Sequence, residues 1–143
     1  MKKLYVGCAI SGLPQAEKDK FLGMIASLKD KLRGHFEVLD FLTATNTQGT
    51  PTEIYIRDIA ECVEHADYML AICDYPSTGL GYEMATAIEK RGIPVLAMAH
   101  RSSNVSKLII GITAKNFHFV QYDSIDEVPQ KTFEILFTNS RGN

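Results

Sequence analysis

The sequence predicts an α/β domain in which a five-stranded parallel sheet, doubly wound in the order 2-1-3-4-5, carries helices on both faces as a three-layer stack. Three observations carry that reading. Along the 143 residues, short β-like apolar runs alternate with longer segments whose apolar residues recur at helical spacing. The run Tyr68–Cys73 is almost unbroken in its apolarity, as suits a strand buried on both faces. Right-handed crossovers then select the doubly wound arrangement.

Each element has its own signal. Leu4–Ile10 reads as the first strand, ended by the turn Ser11-Gly12-Leu13-Pro14. Phe21, Ile25, Leu28 and Leu32 mark one face of a helix that Gly34 closes. Phe36–Leu42 is the second strand, followed by a polar loop through Asn46, Gly49 and Pro51. Thr52 is the candidate N-cap of a helix whose apolar face comprises Ile56, Ile59, Ala60 and Val63. After the third strand, Gly81–Arg91 reads as a helix stopped by Gly92, and Ile93–Ala99 as the fourth strand. Asn104–Ile112 has the pattern of a short helix, Phe117–Gln121 of the fifth strand and Ile125–Thr138 of the last helix, with residues 139–143 as a frayed tail. No internal repeat, low-complexity stretch or linker divides residues 1–143, so one domain is expected.

Composition narrows the function classes. Hydrophobic residues make up 45% and charged residues 22%, as in ordinary globular proteins. The net charge of −2, with no run of Lys or Arg, gives no footprint for a nucleic acid polymer or an anionic membrane. It leaves room for a small anion, which needs only one local cluster of donors. No apolar run reaches the length of a membrane-spanning helix. Met1 to Gly7 reads as a strand rather than a signal peptide, because Ser11, Gly12 and Pro14 break the apolar stretch so early. Cys8, Cys62 and Cys73, odd in number and without CxxC spacing, point to a reducing, cytoplasmic compartment and to thiols used as small hydrophobes. The four histidines lack metal-ligand spacing, so no metal site is expected; a cofactor is not expected either, since chemistry by a positioned carboxylate needs none.

In open α/β sheets, ligands bind at the carboxyl ends of the strands where the order reverses, here between strands one and three. Two loops empty there: Ala9-Ile10-Ser11-Gly12 and the stretch "DYPSTGLG" from Asp74 to Gly81. The glycines let a ligand approach the backbone, and the following helix start offers unpaired N–H groups to an anion. Equally, Gly79 and Gly81 could serve only a tight turn, with Ser77 satisfying the backbone. The loop is neither a dinucleotide fingerprint nor a P-loop with its Lys. Glu83, read in the first turn of that helix, admits two roles. It could simply complement the helix dipole, or be a carboxylate kept ionised by that dipole and so fit for nucleophilic attack. Asp58, opposite the apolar face of its helix on a helical wheel, reads as a solvated surface carboxylate, and Ser106 as a surface residue near a helix start.

Three segments, "YVGCAISG" (Tyr5–Gly12), "YIRDIAECVEHADYMLAIC" (Tyr55–Cys73) and "DYPSTGLGYEMATAIEKRGIPVLAM" (Asp74–Met98), resemble the nucleoside 2-deoxyribosyltransferase superfamily. The likeness is greatest to its hydrolase branch, the 2′-deoxynucleoside 5′-monophosphate N-glycosidases. The resemblance implies that Glu83 attacks C1′ of the sugar to form a glycosyl-enzyme, that Asp58 contacts the sugar, and that Tyr5 places a hydroxyl near the nucleophile. It implies a 5′-phosphate cradle of Ser77 and the backbone at Gly79 and Gly81, beside the first-loop residues Ile10, Ser11 and Gly12. Ser106 would reach the site of a neighbouring subunit, which implies a homodimer with shared sites. The partner so implied is a small nucleotide or nucleoside.

Some positions depart from the family pattern. Ser11 stands where the hydrolase branch often carries an Arg. Asp40-Phe41-Leu42 differ from the expected residues near the base, where Phe41 could stack on a base or belong to the core. Pro76-Ser77 replaces an acidic residue common in the transferases and leans towards nucleotides and hydrolysis. The expected activity is therefore hydrolysis of the N-glycosidic bond. Base exchange between deoxynucleosides, and a nucleotide-sensing module without catalysis, are the alternatives.

Overall fold

A computed structural model of the chain describes residues 1–40 and 49–141, with side chains as far as Thr138. Five strands, β1 (Lys3–Cys8), β2 (Glu37–Leu39), β3 (Tyr68–Ile72), β4 (Val95–His100) and β5 (Phe117–Tyr122), form one parallel sheet in the order β2-β1-β3-β4-β5. This is the expected order. β1 lies between β2 and β3, with Tyr5 paired to Leu39 on one side and to Met69 on the other. All five residues of β3 are buried, which explains its unbroken apolar run.

Helices cover both faces. On one, α1 (Gln15–Leu32) turns Phe21, Ile25, Leu28 and Leu32 inward, and α5 (Val128–Arg141) adds Val128 and Leu136 to the same cluster. On the other, α2 (Pro51–Tyr55) and α3 (Thr78–Ala85), with their continuations, bury Ile59, Cys62, Val63, Leu80, Met84, Ala87 and Ile88 against Tyr5, Met69, Val95 and Ala97. The short α4 (Lys107–Ile110) packs Ile109 on this second cluster. No helix among the described residues is long and apolar enough to cross a membrane.

The differences from expectation have physical causes. β1 stops at Cys8, so Ala9 and Ile10 leave the sheet and head the first loop. Only Glu37–Leu39 of the expected second strand pair with β1, while Phe41 and Leu42 lie outside the described residues. Thr50, not Thr52, caps α2: its side chain accepts from the Glu53 amide while the Glu53 side chain accepts from the Thr50 amide, a reciprocal capping box. Past Tyr55 the helix widens to π geometry over Ile56–Cys62, and that of α3 does the same over Thr86–Arg91, ending at Gly92 with a left-handed φ of 63°. The wider turn breaks the 3.6-residue period, so Ile56 and Ala60 are exposed while Ile59, Cys62 and Val63 are buried. α3 starts at Thr78, three residues before the expected start, because Ser77 is its N-cap. A 3-10 turn over Ile125–Glu127 precedes α5, which continues past Thr138 to Arg141.

Candidate active site

A cleft of about 270 Å³ opens at the carboxyl ends of β1, β2 and β3, the reversal point of the sheet. Tyr5, Ile10, Ser11, Asp58, Ser77, Gly79 and Glu83 all line it, so most of the residues singled out in the sequence converge there. Gly12 and Gly81 are not among its lining residues. Gly12 is exposed, and the Gly81 amide is engaged in the helix, donating to the Ser77 carbonyl at 3.2 Å. Gly81 therefore has no N–H left for a phosphate cradle.

Glu83 is buried, with 8% exposure, and stands in the second turn of α3, not the first. The expectation of a dipole-stabilised, fully ionised carboxylate is corrected accordingly. Burial pushes its carboxyl up to about 7; Asp58 adds to the rise, while the Tyr5 hydrogen bond, Lys29 and Arg57 pull it down. The Tyr5 phenol donates to Glu83 Oε2, tying β1 to α3 across the floor of the cleft. Its own pKa is raised well above the ordinary value, by burial first and by the negative charge of Glu83 second, so it stays a donor. The close approach of the two elements depends on Gly7, where a Cβ would fall 2.8 Å from Leu80 Cδ1.

Asp58 is brought to the cleft by the π-turn. A wheel drawn at 100° per residue turns it to solvent, whereas in the structure it lines the cleft at 30% side-chain exposure and accepts from Arg57 Nε at 3.0 Å. At the other end, Ser77 Oγ accepts from the Leu80 amide at 3.1 Å, the capping role that one reading of the loop foresaw. The Ser77 hydroxyl keeps a proton to donate, and the first-turn amides of a helix such as α3 have no partner within it, so an anion is favoured at this helix start. Ser106 is exposed at the start of α4, where its side chain makes no capping bond.

Lys29 and Arg57, which sequence reasoning did not single out, also line the cleft, together with Asp40. Lys29 in the last turn of α1 reads as an ordinary solvated Lys, yet its side chain is 13% exposed and pairs with Asp40 Oδ2 at 3.5 Å. Only the triplet containing Asp40 carried a signal, as a departure from the family pattern. Cys8 and Cys62 line the cleft as thiols, pushed up to about 11 and about 12, mainly by burial.

No protein-family model matches the chain. Over 89 residues it is 43% identical to a protein of Thermofilum pendens named putative 2′-deoxynucleoside 5′-phosphate N-hydrolase 1, covering 61% of each chain. A Methanococcoides burtonii protein of the same name is 42% identical over 64 residues, 45% of this chain and 51% of that one. The chain is a relative of these named N-hydrolases. The alignments span little more than half the length of these relatives. Among solved structures, a Clostridium botulinum CMP N-glycosidase superposes with a TM-score of 0.70 over 94% of this chain and all of that one. At 22% identity that likeness establishes the shared fold.

Proposed function

We propose that the protein hydrolyses the N-glycosidic bond of 2′-deoxynucleoside 5′-monophosphates, releasing the base and deoxyribose 5-phosphate. The observation that carries this reading is the buried Tyr5–Glu83 pair with Asp58, in a cleft that also holds the Ser77-capped start of α3. The names of the relatives point the same way.

Glu83 follows the Ser77 cap by six positions, a rise of about 9 Å, shortened by the lean of a helical side chain towards the N-terminus. A phosphate at Ser77, Thr78 and Gly79 thus leaves one sugar ring's room before the carboxylate. Ionised Glu83 attacks C1′, a C–O bond forms as the C1′–N bond breaks, and the electron pair departs with the base. Water then attacks C1′ of the glycosyl-enzyme and restores the carboxylate. Tyr5 holds Glu83 in place, and Asp58 orients the sugar.

The site is completed in a homodimer. Leu108 (75% exposed) and Ile110 follow Ser106 on α4, while Tyr55, Ile56 and Tyr82 are exposed near the cleft on the same layer. A two-fold pairing of these patches covers both and delivers the partner's Ser106 to the phosphate end.

The test is product analysis of paired deoxy- and ribonucleoside monophosphates with wild type and Glu83→Gln, with intact mass of acid-quenched enzyme. Base release by the wild type alone, with one deoxyribose phosphate added to its mass, is the expected result. Undiminished release by Glu83→Gln refutes the mechanism. A new nucleoside on adding a second base would show transfer, and ligand-induced stabilisation without base release would show a sensor. Mixing inactive Ser106→Ala and Glu83→Gln subunits should restore part of the activity if sites are shared.

A further inference from the structure

Displacement at C1′ runs in line, so a base attacked from Glu83 leaves on the opposite side of the sugar. Glu83 stands on α3, whose apolar residues belong to the second cluster, whereas α1 packs on the other face of the sheet. Lys29 is the cleft-lining residue that α1 contributes. Its nearly buried ammonium has three N–H donors. Among the described residues its ion pair is with Asp40 alone, at 3.5 Å, longer than a charge-assisted hydrogen bond. Donor capacity therefore remains towards the cleft. The charge of Lys29 is felt at both Glu83 and Cys8, which line the same cleft.

Stability does not explain such a group. A buried ion pair at this distance adds little to a fold, because desolvating both charges offsets their attraction. What a cation in this place does favour is negative charge arriving in the cleft. In the proposed reaction, negative charge arrives there on the departing base.

We propose that Lys29 is a catalytic residue of glycosidic cleavage, donating a hydrogen bond to the nucleobase as it leaves. This rests on the glycosidase reading above. As the C1′–N bond breaks, the electron pair spreads from the glycosidic nitrogen onto conjugated acceptors, such as the 2-keto oxygen of a pyrimidine. Lys29 keeps its proton and stabilises that charge, and water neutralises the base after release. Asp40 holds the ammonium in position from the end of β2.

The experiment compares 5-methyl-, unsubstituted and 5-fluoro-2′-deoxyuridine 5′-monophosphates, whose bases leave with increasing ease. If the wild type prefers purines, 2′-deoxyadenosine and 2′-deoxyinosine monophosphates replace them, hypoxanthine being the better leaving group. Lys29→Met should lower kcat by about 10²–10³-fold on the poorest leaving group and by less than about 10-fold on the best. Lys29→Arg should keep the wild-type dependence on the leaving group. The double variant Lys29→Met/Asp40→Asn removes both charges and should show the same steepened dependence, even if loss of the Lys29–Asp40 ion pair alone destabilises the single variant. Equal losses on all substrates, or a shifted pH profile with an unchanged leaving-group dependence, overturn the proposal. A wild type that releases no base from any substrate refutes the glycosidase reading, and this inference with it.

Discussion

Replacing Glu83 by Gln should make the protein more stable at alkaline pH while abolishing its chemistry. In the native chain, burial raises the carboxyl from its ordinary 4.5 to about 7. The folded protein thus binds this proton more tightly than the unfolded chain. Between those two values the native state carries more protons, so stability falls as pH rises through the window. Below it both states are protonated and nothing is lost; above it the whole cost of a buried charge is present. Each tenfold change in proton affinity is ~1.4 kcal/mol, so the ionised carboxylate costs roughly 3 kcal/mol of native stability at pH 8. At 8% exposure little of this is screened by solvent. Gln keeps the shape and still accepts from the Tyr5 phenol, but carries no charge to desolvate. Urea unfolding of both proteins at about pH 4 and about pH 8 measures the effect. The advantage of Glu83→Gln should grow by roughly 3 kcal/mol between them. A difference that stays constant with pH would refute the claim that Glu83 is a strained, buried acid.

The same electrostatics sets the direction of other changes. If ionised Glu83 is the nucleophile, kcat/KM rises with pH and levels off above about 7. Tyr5→Phe removes a bond that favours the carboxylate and should move that inflection up, whereas Asp58→Asn removes a repelling charge and should move it down while lowering the rate. Ser77→Ala removes the α3 cap and should cost about 1 kcal/mol in urea unfolding. In the same variant, KM for nucleotides should rise more than KM for nucleosides lacking the phosphate. Gly7→Ala should destabilise by about 1–2 kcal/mol, a modest cost because its new Cβ meets the movable ends of Leu80 and Met69.

The sheet was legible in the sequence because its signals are local. The burial of Tyr68–Ile72, the helical spacing of Phe21, Ile25, Leu28 and Leu32 and the stop at Gly92 depend on neighbours a few residues away, and each reappears in the fold. Strand order followed from chain connectivity, and with it the edge at which a ligand could bind. Glu83, Tyr5 and Ser77 were legible as site candidates through motif resemblance, and the fold brings all three to one cleft.

What the tertiary structure alone decided concerns environment. A helix widened by one residue per turn puts Asp58 in the cleft, and no wheel drawn at constant pitch can foresee that. The protonation of Glu83 depends on burial and on Tyr5 of β1, Lys29 of α1 and Arg57 and Asp58 of the π-turn that continues α2, so the dipole argument drawn from its neighbours in sequence pointed the wrong way. Lys29 and Asp40 are eleven positions apart, in segments that each look solvent-facing. Their pairing exists only because α1 folds back over the end of β2. Local sequence fixes which elements form and in what order; the charge state of a buried group is a sum over everything packed around it, and that sum requires the fold.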